Sequence, residues 1–176
     1  MQSEPVRRWR TSPGSGSLGG IESVRVVLAA ILVALGMVIA LPASAQERGT
    51  TTEAKAMAEK ASAHLIAVGP ERAIADFKRP DGEFRDRDLF VVLYNPQHIV
   101  VCAPGNPNFV GLDATLFIDT DGKEFGKAVI AAAQSPAGTG WVDYRMSSPL
   151  THKVELKTSY VIKTGDYIVI VGSYRP

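Results

Sequence analysis

The stretch GWVDYRMSSPLTHKVELKTSYV, residues 140–161, sets Trp141, Tyr144, Lys157 and Tyr160 among residues that otherwise read as sheet. An ammonium between Leu156 and Thr158 has two readings. It is a solvated strand residue, or it is a cation aimed into a pocket, taking a small carboxylate with tyrosine hydroxyls as further donors. Pockets of that kind are mostly apolar with a few convergent polar groups. Side chains alternate along a strand, so Val142, Tyr144 and Met146 share one face of the first segment, and Trp141, Asp143 and Arg145 the other. In the second segment Lys157, Ser159 and Val161 lie opposite Leu156, Thr158 and Tyr160. Lys157 and Tyr160 therefore reach one pocket only across a bulge.

Other chemistry is sparse. The sequence has no GxSxG elbow, and its single cysteine, Cys102, has no base in a motif context. Cys102 lies in an apolar run and is expected to pack as a buried thiol. His64, His98 and His152 fall on a helix, a turn and a hairpin loop, without the close spacing that zinc ligands show. DTDGKEF at 119–125 resembles a calcium loop, but its glycine is fourth and the twelfth residue is Ile130, where the loop needs glycine sixth and glutamate twelfth. A turn whose aspartate caps the following helix is the expectation there. GSGSLG at 14–19 matches GxGxxG but lacks the preceding strand and following helix of a nucleotide site. No metal, no cofactor and no enzymatic activity are expected.

The elements that must position Lys157 follow from periodicity. Thr50-x-x-Glu53 forms a capping box, and Met57, Ala61, Leu65 and Val68 continue from it as one helical stripe. Gly69 ends that helix and Pro70 opens a short second one, PERAIADF, with Ile74 and Phe77 inward. Leu89 to Tyr94 reads as a strand covered on both faces, and after the Asn95-Pro96 turn HIVVCAP returns as its hairpin partner. GNPNFVGLDATLFIDTDG is too rich in turn residues for a regular element, and Lys123 to Gln134 is helical with Phe125, Val129, Ala132 and Ala133 inward. Strands over 140–146, 153–163 and 167–174 follow, and their short connections imply an antiparallel meander. Segregated helices with antiparallel strands argue an α+β fold. One sheet face goes to the N-terminal helix and the other to the crossover, where a pocket would form.

The first 45 residues are expected to be a leader. Val26 to Leu41 is apolar, Arg25 precedes it, and Ala43-Ser44-Ala45 follows, the three parts of a secretory signal peptide cleaved after Ala45. Sixteen apolar residues fall short of the roughly 20 that span a bilayer, so no stable membrane insertion is expected after cleavage. Losing Arg7, Arg8, Arg10 and Arg25 with Glu4 and Glu22 turns the formal net charge of +1 into −1. That balance lacks the basic footprint of a nucleic-acid binder. Residues 46–176 then form one domain, long enough to bury a core without disulfides.

The residues also resemble a family. FRDRDLFVVLYNPQHIVVCAPGNPNFVGLDATLFIDTDGKEF, then GTGWVDYRMSSPLTHKVELKTSYV and the GSY near the end, are similar to a single Cache domain. Such domains are PAS-like extracytoplasmic sensor modules of bacterial chemoreceptors, sensor kinases and solitary secreted proteins. The resemblance covers about Thr51 to Tyr174 and implies a five- to six-stranded antiparallel sheet with a long N-terminal helix on one face. It also implies a small-molecule pocket on the opposite face, for an organic acid or amino-acid-like ligand. The positions it implies for that pocket are Phe90, Tyr94, Trp141, Tyr144, Lys157 and Tyr160. Members often carry histidine before the proline that matches Pro104; Ala103 stands there, removing one polar contact. Receptor members continue into a second membrane helix and an output domain, whereas this sequence stops at Pro176. The function expected is a periplasmic or secreted binding module for a small organic anion, without its own output domain. The competing reading is a periplasmic interaction module docking on a membrane-bound sensor or redox partner, with a vestigial pocket.

Overall fold

The capping box forms as spaced: the Glu53 amide donates to Thr50 Oγ1 at 3.2 Å and the Thr50 amide to Glu53 Oε2 at 2.7 Å. It starts helix α1 (Thr51–Val68), whose buried stripe is Ala54, Ala58, Ala61 and Leu65. Three of those four are alanines, so the helix backbone lies close on the sheet, while Val68, expected in the stripe, is exposed. Gly69 ends α1 at a φ of 78° and Pro70 opens α2 (Pro70–Phe77), which buries Ala73 and Phe77. The computed structural model describes residues 47–175. By its internal contacts the chain divides into Met1–Ser44 and Ala45–Pro176; the leader and its cleavage site lie outside the described residues. No helix among those described is long and apolar enough to cross a membrane.

Six antiparallel strands form one sheet: β1 (Arg85–Asp86), β2 (Leu89–Tyr94), β3 (Val100–Cys102), β4 (Thr139–Ser147), β5 (Val154–Thr164) and β6 (Tyr167–Arg175). Their order is β1-β2-β6-β5-β4, with β3 also pairing β2. The meander β4-β5-β6 stands as its connections imply. The first and last long strands become neighbours through Val91↔Val171 and the three pairs after it. β1 is a two-residue strand that no alternation pattern signals, joined to β2 by the tight turn Arg87-Asp88. Between β3 and β4 the chain makes two short 3-10 turns, Pro107–Phe109 and Ala114–Leu116, and helix α3 (Phe125–Ala133).

The sheet separates two cores. On the α1 side lie Leu89, Val91, Leu93, Val169 and Val171 with the helix alanines and Cys102; burial pushes the Cys102 thiol up to about 11. On the crossover side lie Tyr94, Val142, Tyr144, Val161, Ile168 and Ile170 under Phe125, Val129 and Ala133 of α3. The DTDG loop departs from the expected helix cap. Asp119 instead accepts from the amides of Asp121, Lys123 and Arg145, fastening the loop to β4. Helix α3 starts at Glu124 with no side-chain cap.

Candidate ligand-binding site

The unbroken register fixes which side chains meet. Tyr144 on β4 pairs with Lys157 on β5, and Lys157 pairs with Tyr174 on β6. With alternation on each strand, Tyr144, Lys157, Ser159, Gly172 and Tyr174 all stand on the crossover face, together with Val92 and Tyr94 of β2. Phe90, two residues before Val92, stands on that face too.

Lys157 is the buried cation of this face among the described residues, 3 % exposed. Its Nζ lies 4.3 Å from the Phe90 ring centre and 4.7 Å from that of Tyr174. Gly172 makes this path possible: a Cβ there would overlap Ser159 Oγ and stand 2.6 Å from Lys157 Cε. A glycine inside a strand marks such a close approach. Burial drives the lysine down from 10.5 to about 7, partly opposed by the charge of Asp88. Among the described residues no hydrogen bond or ion pair reaches the ammonium. It is a poised cation near neutrality rather than a committed one.

Around it, Tyr144 donates or accepts at 2.9 Å with Ser159 Oγ. Its ring stacks on Phe125 of α3, 4.4 Å between centres and 10° between planes. Burial pushes the Tyr144 phenol up to about 12, and raises those of Tyr94 and Tyr174 as well. All three stay protonated hydroxyls at neutral pH. The Tyr174 hydroxyl donates to the Ser147 carbonyl at 3.1 Å.

Lys157, Tyr94 and Tyr144 line a chamber of about 30 Å³ beneath the crossover, closed by Val92, Val100, Ala103, Asn106, Phe109, Phe117, Phe125 and Met146. That is room for about one water. A wider, open groove of about 330 Å³ lies outside it, and Phe109, Phe117, Phe125 and Met146 line both spaces. Ala103 is buried and turns its methyl to the chamber.

Of the six positions expected to gather in one pocket, Tyr94, Tyr144 and Lys157 line the chamber and Phe90 backs the ammonium. Trp141 and Tyr160 do not join them. They pair with each other across β4 and β5, 4.7 Å between ring centres, on the α1 side, where Lys55 lies over Tyr160 and Trp141 is 46 % exposed. No bulge interrupts β4–β5, so parity keeps them on the far face. Four contributors were not singled out from the sequence: Gly172, Tyr174, Asn106 and the turn residue Asp88. For Tyr174 the GSY motif was a signal; for Gly172 the glycine in mid-strand was.

The sequence model of the family Single Cache domain 2 matches residues 34–175. The chain belongs to that family. Cache domains are extracytoplasmic sensing modules, and solved structures agree on the fold. A methyl-accepting chemotaxis protein from Vibrio parahaemolyticus superposes with a TM-score of 0.58 at 17 % identity, covering 87 % of this chain and 96 % of its own. The periplasmic sensor domain of a chemotaxis protein gives 0.54 at 18 %, covering 90 % and 100 %. A Cache chemosensory domain studied for carboxylic acid recognition gives 0.55 at 18 %, covering 89 % and 99 %. A search of curated proteins found no match. In this Cache domain the chamber sits on the sheet face away from α1, between β4–β5–β6 and the crossover.

Proposed function

We propose that this Cache domain is a periplasmic or secreted binding module for a small organic anion, and that it is not an enzyme. The anion's carboxylate meets Lys157 and its short apolar body lies against Val92, Phe125 and Met146. One observation carries the reading: a desolvated lysine under an aromatic and aliphatic roof, with no acid bonded to it among the described residues. A carboxylate entering there supplies the charge that burial has withheld, and hydrogen bonds to charged groups are worth about 1.5–3 kcal/mol. The ligand is small, because the chamber holds about 30 Å³ and grows only if Phe109, Phe117 or Met146 shifts toward the outer groove. Ala103 offers no polar contact, which leaves Lys157, the tyrosines and Asn106 as the polar set. The test is a thermal-shift screen against short monocarboxylates, hydroxy acids and amino acids. A true ligand at 100 times its Kd adds about 2.7 kcal/mol of stability; a screen in which no anion raises Tm beyond its effect on Lys157→Met rejects the reading.

A second reading has its own support. Leu112, Leu116, Ile118 and Val154 are exposed around the outer groove, and apolar side chains clustered in that way suit a protein partner. On that reading the domain docks on a membrane-bound sensor or redox protein and the chamber is vestigial. Wild-type and Lys157→Met proteins would then bind that partner equally.

A further inference from the structure

Asp88 is fully buried in the β1–β2 turn, two residues before the Phe90 ring that carries the Lys157 ammonium. Its Oδ1 accepts the Gly49 amide at 2.6 Å. Its Oδ2 has no hydrogen-bond partner among the described residues. A buried carboxylate oxygen left without a partner carries a full desolvation cost, so a nearby positive charge must compensate it. Arg48 also feels Asp88, but its guanidinium is held by both oxygens of Glu155. Among the described residues Lys157 is the remaining buried cation on this face.

The lysine's surroundings lead to the same pairing from the other side. From β4 it faces Tyr144, from β6 Tyr174, from β2 Phe90 and Tyr94, and from the crossover Asn106 and three phenylalanines. Glu155, two residues back on its own strand, is taken by Arg48 and by the Thr151 hydroxyl. None of the tyrosines is ionised near neutrality. Among the described residues Asp88 is thus the one acid with a free oxygen that acts on the Lys157 ammonium.

We infer that Asp88 is a positioning residue of the ligand site: its unpartnered oxygen keeps Lys157 charged and carboxylate-ready in a larger fraction of molecules than burial alone would allow while the chamber is empty. The inference rests on Lys157 being the ligand's cation. It also ties the chamber to the entry of α1, because the same carboxylate carries the Gly49 amide on its other oxygen.

The experiment follows Lys157 itself, by NMR of ¹³C-lysine-labelled full-length chain, with the resonance assigned by its loss in Lys157→Met. In wild type the Lys157 signal should titrate near 7. In Asp88→Asn, which keeps the acceptor for Gly49, the midpoint should fall by at least about one pH unit, the effect of losing one close opposite charge. Asp88→Ser repeats the test if the asparagine variant does not fold. An unchanged midpoint overturns the inference. Acetate affinity is the second arm. Asp88→Asn should bind it about tenfold more weakly at pH 7.5 and within about threefold of wild type at pH 5, since one pH unit of midpoint is tenfold in the charged fraction. An equal loss at both pH values marks a merely structural aspartate and overturns it too. A shifted midpoint in a protein that binds no carboxylate keeps the Asp88–Lys157 coupling and rejects the anion-binding reading instead.

Discussion

Replacing Lys157 by methionine should stabilise the ligand-free protein and, on the function proposed above, abolish its binding of carboxylates. The stem of the lysine is packed over Gly172 between Ser159 and the Phe90 and Tyr174 rings, and methionine refills that path without the charge. Bringing the lysine from 10.5 to about 7, a shift that already contains the opposing attraction of Asp88, disfavours its charged form by about 5 kcal/mol, at about 1.4 kcal/mol per pH unit. Two cation–π contacts, at about 0.5–2 kcal/mol each, disappear with it. The net gain expected at pH 6 is therefore about 1–4 kcal/mol, the range found when buried ionic groups give way to apolar ones.

The pH dependence has a definite sign. Below about 7 both folded and unfolded states hold the Lys157 proton, and above 10.5 neither does. Between these limits the unfolded chain binds a proton that the folded one releases, so wild-type stability from this group rises with pH across that window. The penalty is full at pH 6 and shrinks by about 2–3 kcal/mol by pH 9. Urea unfolding at pH 6, 7.5 and 9, with wild type and Lys157→Met side by side, reads the difference directly. The tyrosines and Cys102 titrate in both proteins and cancel. The variant's advantage should be largest at pH 6 and fade or reverse at pH 9. A variant less stable than wild type by more than about 1 kcal/mol at pH 6, or a difference flat with pH, would refute the account of Lys157 as a desolvated charge.

Three further outcomes are expected. Gly172→Ala places a methyl against Lys157 Cε and Ser159 Oγ, and should cost about 1–3 kcal/mol as overpacking does; in a Lys157→Ala background urea unfolding should show only part of that cost removed, because the Ser159 contact remains. Tyr144→Phe keeps the ring stack on Phe125 but strips Ser159 of its 2.9 Å partner, a loss of about 1 kcal/mol; unchanged stability would mean that a water satisfies Ser159. For the leader, mass spectrometry of exported protein should find Gln46, or its cyclised form, at the N-terminus, and an intact chain in the membrane fraction would show an anchor instead.

The parts of the fold legible in the sequence are those governed by local periodicity. Alternation over 140–146 separated Tyr144 from Trp141 and alternation over 153–163 separated Lys157 from Tyr160, and the nine-pair β4–β5 register then joins Tyr144 with Lys157 and Trp141 with Tyr160. Grouping Trp141 and Tyr160 with the pocket followed the family's pattern against this parity, and parity held. Lateral order is what alternation cannot carry. Phe90 and Tyr174 meet over one ammonium only because β2 and β6, far apart in sequence, are neighbours. Asp88 is buried two residues before Phe90 only because the two-residue β1 folds a tight turn there. Periodicity likewise said which residues of its own strand share a face with Lys157 but not what covers that face. The cover is a run of 3-10 turns and the short α3, irregular structure whose aromatic residues acquire meaning only once they are laid over the sheet. A lysine in a strand reads as solvated until that roof is placed. Under Phe109, Phe117 and Phe125, with Gly172 clearing its path, the same side chain becomes a desolvated amine brought down to about 7.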